Sequence, residues 1–171
     1  CTLNPLVNVP YTTYTEGNVF VENEDDGGGP AHKGYYGSMA FSGGKWYWEA
    51  AALNGPPNKF TIGISDARNV SDYQQIATTD FRIGKDAPSY VSGDAVGWYA
   101  GNLFKNGSTI ASDLGDVTTG DFMMVAVDAD NGKIYFGRDG TWRVADSTTF
   151  DAAQNDTTFT TGVLYVPAFS A

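Results

Sequence analysis

Histidine and cysteine are almost missing from these 171 residues, which hold one of each, His32 and Cys1. A single thiol excludes an internal disulfide, so this is not a small disulfide-built secreted module, although an exported protein with an adequate core needs none. Zinc or transition-metal chemistry that relies on clustered imidazoles or thiolates has no ligands to draw on. Ser-His-Asp or Cys-His nucleophilic machinery needs a base held in register, and His32 lies in an acidic, Gly-rich stretch unsuited to holding one. No apolar run approaches the ~20 residues of a membrane span, and no charged n-region and apolar h-region precede the first turn, so the chain reads as soluble. Basic residues are also scarce. Ten Lys and Arg against twenty Asp and Glu leave a formal net charge of −10, which opposes approach to phosphate backbones and anionic membranes. Neither nucleic acid nor a membrane is expected as a partner. Cys1 is the residue that a mature lipoprotein would carry. With no lipobox ahead of it, the chain reads instead as a segment or processed product of something longer.

What is plentiful points to strands. Twenty-one Gly, ten Tyr, ten Phe and four Trp, without long runs of Ala, Leu, Glu or Lys, favour strands and tight turns and leave almost no helix. At this length one domain, residues 1–171, is expected to bury about 70% of the surface its unfolded chain exposes. The organising stretch is Gly120 to Trp142, reading GDFMMVAVDADNGKIYFGRDGTW. Phe122 to Val127 is apolar at every position, as in a central strand buried on both faces. Asp128, Asp130, Asn131 and Gly132 supply hairpin-turn chemistry, Lys133 to Gly137 returns, and Asp139-Gly140 bends the chain again to deliver Trp142 as a cap on the hairpin end.

Along the rest of the chain, residues 1–17 read as a lead-in arm kept extended by Pro5 and Pro10. Asn18 to Glu22 follows as a first edge strand, with Val19 and Val21 sharing a face. Glu22 to Lys33, ENEDDGGGPAHK, cannot bury enough apolar area to order itself. Glu24, Asp25 and Asp26 are carboxylates of the kind calcium takes, but no fixed ligand spacing accompanies them and the segment reads as a solvated loop. Tyr35 to Phe41 and Lys45 to Leu53 are expected to pair through Ser42-Gly43-Gly44. Trp46, Trp48 and Ala50 then fall on one face, as core or as a glycan-stacking surface. Phe60, Ile62 and Ile64 alternate cleanly with polar residues and glycine. Asn106-Gly107 marks a hairpin over Asn102 to Ala111. Asp146 to Thr161 reads as a long loop before a closing strand at 163–169, with the N-terminal and C-terminal strands side by side.

The glycines precede no helix, so they are turn residues and not phosphate cradles. Asp128-x-Asp130-x-Gly132 has its glycine one position early for a calcium loop, and no bidentate Glu follows at the required distance. Glu49, among aromatics, is the best single candidate for a glycosidase carboxylate. Its alternative is a strand carboxylate paired with Lys45, Lys59 or backbone donors. No cofactor and no metal site are expected.

Several motifs in order resemble a SPRY (B30.2-type) domain. Gly120-Asp121, Asp128, Asp130-Asn131-Gly132, Ile134, Phe136, Gly140 and Trp142 follow the pattern of that family's C-terminal core. Gly44-Lys45-Trp46-Tyr47-Trp48-Glu49 resembles its Gly-Lys-aromatic-x-aromatic-Glu strand, and Ile62-Gly63-Ile64 its Ile-Gly-aliphatic strand. Gly97-Trp98-Tyr99, Asn106-Gly107 and Val166-Pro167-Ala168-Phe169 fit later features. The match is best over residues 35–142 and implies an all-β, antiparallel two-sheet β-sandwich, a concanavalin-like jelly roll. In the family, loops at one end of the sandwich do the binding. Asp66, Arg68, Tyr73 and Trp98, in or beside the long connection Asp66 to Ser92, are therefore the candidate surface contributors, set against plain connection and core packing.

The opening Thr2-Leu3-Asn4-Pro5-Leu6 also resembles C-terminal segments of bacteriophage structural proteins. Together these resemblances imply a non-enzymatic virion module: a tail-fibre, head-fibre or decoration domain whose partners are other virion subunits or a host-surface protein or glycan, with homo-oligomers possible in such a particle. The alternative is a SPRY-type peptide-recognition module of a cellular or surface protein, located extracellularly or at the cell surface. A glycan-directed enzyme comes third.

Overall fold

A computed structural model describes residues 2–5, 12–23, 33–53, 60–68, 82–86, 94–112, 114–143 and 157–170. The strands in chain order are β1 (Thr12–Thr15), β2 (Phe20–Asn23), β3 (Gly34–Tyr36), β4 (Lys45–Ala51), β5 (Thr61–Asp66) and β6 (Ala95–Tyr99). After them come β7 (Asn102–Lys105), β8 (Ser108–Ala111), β9 (Phe122–Asp128), β10 (Lys133–Arg138), β11 (Thr141–Arg143) and β12 (Tyr165–Ser170). No α-helix occurs among the described residues. A four-stranded sheet, β11-β10-β9-β4, faces a six-stranded sheet, β3-β12-β5-β6-β7-β8, and β1-β2 forms a separate hairpin. Every pairing is antiparallel. This is the expected two-sheet sandwich.

Alternation decides what fills the space between the sheets. Ile62, Ile64, Val96 and Trp98 from one sheet meet Met123, Val125, Val127, Ile134 and Phe136 from the other, and Trp46, Trp48 and Ala50 of β4 pack onto the same cluster. Period-two spacing sends every second side chain inward, so the Trp pair is core and not a glycan platform. The continuously apolar β9 is central in its sheet, as expected. Its first residue, Phe122, is nonetheless 53% exposed, because the outer face of this sheet is covered only in part.

That partial cover is Trp142. Residues Asp139 (φ 51°) and Gly140 (φ 78°) form the two-residue turn into β11, and Trp142 lies opposite Gly137 in register. A Cβ at Gly137 would sit 3.1 Å from the indole Cε3. The ring thus lies across the outer sheet face instead of capping the hairpin end.

A second, smaller cluster covers the outer face of the six-stranded sheet, where Tyr35, Tyr36, Ile83, Val166 and Ala168 are joined by Leu3, Tyr14 and Val21. Gly63 and Gly97 pair directly across β5 and β6, and the backbone of Ile83 passes so close that a Cβ at Gly97 would lie 2.2 Å from its carbonyl oxygen. Only glycine leaves room for that crossing.

Three expectations are corrected. Part of the lead-in arm is strand β1, and the turn from it uses Glu16, Gly17 and Asn18, all with positive φ; the edge strand therefore starts at Phe20, and Val19 lies in the turn. Tyr35–Phe41 and Lys45–Leu53 do not pair. Phe41 exchanges two backbone hydrogen bonds with Tyr165, both 2.8 Å, whereas Gly44 is bonded to Ala129 and Asp130 in the turn that joins β9 and β10 of the other sheet. The Gly43-Gly44 turn carries the chain from one sheet to the other. Lastly, the described strands beside the C-terminal β12 are β3 and β5, and neither β1 nor β2 pairs with it. Leu3 bridges instead to Gly37, just past β3.

Candidate functional site

The antiparallel ladder brings the end of β5, the start of β6, the β7–β8 turn and the start of β12 to one end of the six-stranded sheet. Two buried carboxylates organise that end. Asp66 is fully enclosed, and its carboxylate accepts from the Arg68 backbone N–H at 2.9 Å and from Arg68 Nε at 3.0 Å, with Arg68 Nη2 closing a bidentate fork. Asp94 accepts from the Thr160 N–H at 2.6 Å and the Asn106 amide at 2.7 Å, with Lys105 Nζ at 3.4 Å. The two acids are tied together through the Asp66 N–H, which donates to the Asp94 carbonyl at 3.1 Å. Asn106 also accepts from the Ala95 N–H at 2.7 Å, and Tyr165 donates its hydroxyl to the Thr160 carbonyl at 3.1 Å.

Burial alone would push both carboxyls up. For Asp66 the hydrogen bonds and charge of Arg68 outweigh burial, and for Asp94 the donors from Thr160 and Asn106 and the Lys105 charge do so, which leaves both below their ordinary value. Burial and the two neighbouring anions push the Tyr165 hydroxyl up. The result is a fixed, ionised pair of carboxylates at this end of the sheet. Arg68 is its outward element, since its side chain is 61% exposed while that of Asp66 is 1% exposed.

Among the four sequence-derived candidates, Asp66 and Arg68 come together here as an ion pair. Tyr73 lies outside the described residues. Trp98 is corrected: it is fully enclosed between the sheets, with its indole N–H unpaired among the described residues, so it offers no surface. Its place on β6, opposite Ile62 and Leu103, decides this. Glu24, Asp25 and Asp26, weighed against calcium and read as part of a solvated loop, and His32 also lie outside the described residues. Asp128 accepts from the Asn131 N–H (3.1 Å) and side-chain amide (2.9 Å), which closes the hairpin turn. Glu49 accepts from the Tyr47 hydroxyl. In register it lies opposite Met124, so no second carboxylate stands across from it on β9.

Sequence reasoning missed Asp94, Thr160 and the second role of Asn106. An Asn-Gly turn signal shows the φ demand at Asn106 (50°) and Gly107 (84°). It says nothing of a side chain that bonds residues eleven and twelve positions away.

This two-sheet, antiparallel fold is similar to that of solved SPRY domains. The chain is similar to the crystal structure of the SPRY domain of human HERC1, with a TM-score of 0.53 and 19% identity over 84% of this chain and 76% of that one. It is similar also to the TRIM65 PSpry domain, with a TM-score of 0.56 and 17% identity over 98% and 82% of the two chains. No protein-family model matches the sequence, and no curated protein does.

Proposed function

We propose that this chain is a non-enzymatic protein-interaction module that makes its contacts through the loop-bearing end of the six-stranded sheet. The observation that carries the reading is the buried Asp66–Asp94 network. It spends two charges and several side-chain donors on fixing the strand ends from which the connections at that end leave, and a rigid frame of this kind suits recognition by the connections it carries. Solved SPRY domains with the same architecture support the class by analogy of fold. Arg68 is the exposed contact, with Tyr73 further along the same connection.

The finer assignment is a virion component, a tail-fibre, head-fibre or decoration domain that attaches to other virion subunits or to a host-surface protein or glycan. Its support is the Thr2-Leu3-Asn4-Pro5-Leu6 opening and the acidic, glycine-rich composition. Mass spectrometry of purified particles tests it: peptides of this chain at stoichiometry with coat proteins are expected. Their absence would end the virion role and leave peptide recognition in a cellular or surface protein as the reading. At the site itself, Arg68→Ala is expected to weaken attachment and also to lower stability, because it strips the enclosed Asp66 of its partner. Arg68→Lys keeps a charge for Asp66 and should weaken attachment with less loss of stability, and unchanged attachment in both would remove the loop end from consideration.

A further inference from the structure

The outer face of the four-stranded sheet carries an arrangement that the loop end does not use. Tyr47, Leu53 and Phe122 are all more than half exposed. Tyr47 and Phe122 share the outer face: Ala51 is opposite Phe122 in register, and Tyr47 is four residues back along β4, with Glu49 between them on the same face. Isolated exposed apolar side chains need no explanation, but an exposed aromatic ring meeting a second ring beside an exposed carboxylate does. The wall is Trp142, whose ring centroid is 6.0 Å from that of Tyr47 at an interplanar angle of 66°.

Charge on this face is uneven. At one end Asp128 lies between Lys45 and Lys133 in register, and its carboxyl is held below the ordinary value first by the Asn131 hydrogen bonds and then by the Lys45 charge. At the other end Glu49, exposed beside Tyr47, has the Tyr47 hydroxyl as its hydrogen-bond partner and forms no ion pair with a described residue.

We propose that Tyr47, Trp142 and Glu49 form a docking point for an arginine or lysine side chain presented by a partner protein, with Phe122, farther along the same face, taking an apolar residue of that partner. A cation over an aromatic face is attracted by the ring quadrupole, and an adjacent carboxylate adds a charge-assisted hydrogen bond. Rings meeting at 66° form a corner. A corner suits a compact cation, whereas a sugar ring stacks on a level platform. The net charge of −10 favours the approach of a basic partner. This surface lies on a different sheet from the Arg68 loop end and stands or falls separately from it.

The test is fluorescence anisotropy with a labelled short peptide containing two arginines, against the same peptide with both replaced by glutamine. The arginine peptide is expected to bind the wild type and the glutamine peptide to bind far more weakly. Tyr47→Ala should weaken binding about fivefold and Glu49→Gln about tenfold. Tyr47→Phe keeps the ring and releases the carboxylate, so affinity should hold or rise. Glu22→Gln removes one exposed charge away from this face and should change nothing. Equal losses in Glu22→Gln and Glu49→Gln would reduce the effect to bulk charge and overturn the proposal. So would a fall in Tyr47→Phe, or retardation by a polysaccharide panel that depends on Tyr47 but not on Glu49.

Discussion

Gly97→Ala puts the packing of the six-stranded sheet to a sharp test. The φ of Gly97 lies outside the left-handed region, so an L side chain meets no backbone strain there, and the whole effect is steric. The new methyl would lie 2.2 Å from the Ile83 carbonyl oxygen and 3.1 Å from the Ile83 Cβ. Backbone cannot yield as a side-chain tip can, so the 82–86 turn must lift. Lifting exposes Ile83, now fully enclosed against Tyr35, Tyr36, Val166 and Ala168, which costs about 2 kcal/mol. It also breaks the 2.7 Å bond from the Gly107 N–H to the Gly84 carbonyl, worth about 1 kcal/mol. The expected destabilisation is about 3 kcal/mol, read from urea midpoints at constant m. Ile83→Ala in the same background supplies the control: once the turn has lifted, truncating Ile83 should add little, so the two losses combine to less than their sum. A Gly97→Ala loss below about 0.5 kcal/mol, or full additivity, would refute the close crossing.

Two further outcomes are expected. Asp66 and Asp94 have carboxyls held below their ordinary value, so the folded state binds fewer protons than the unfolded one. Their contribution is complete above the ordinary Asp value of about 3.9 and is lost as pH falls through the folded-state values beneath it. A urea series from about pH 7 to about pH 2.5 should show that decline. Asp94→Ala should flatten it and cost about 2 kcal/mol at neutral pH by orphaning the Thr160 N–H and the Asn106 amide. A slope unaltered in Asp94→Ala would remove this network from the acid response. For Trp98, Phe should cost under about 1.5 kcal/mol, because the unpaired indole N–H goes with the lost volume, whereas Ala should cost about 3–5 kcal/mol. A near-neutral Trp98→Ala, measured by thermal or urea unfolding, would return this residue to the surface.

Local chemistry in the sequence determined the strands, the turns and the class of fold. Asn106-Gly107 and Asp139-Gly140 fix their hairpins because so few residue pairs accept two consecutive positive φ values. The alternation in β4 and β5 likewise settled which side chains face the core. Tertiary structure alone decided which strands not joined by a tight turn became neighbours. Tyr36 and Lys45 are separated by a short turn yet belong to different sheets, since long-range bonds from Phe41 to Tyr165 and from Gly44 to Asp130 outweigh the local hairpin. The same holds for both candidate surfaces. Asp66 meets Asp94 and Thr160, and Tyr47 meets Trp142, only once the sheets have closed, and pairing at such sequence separations leaves no periodic trace in the chain that forms it.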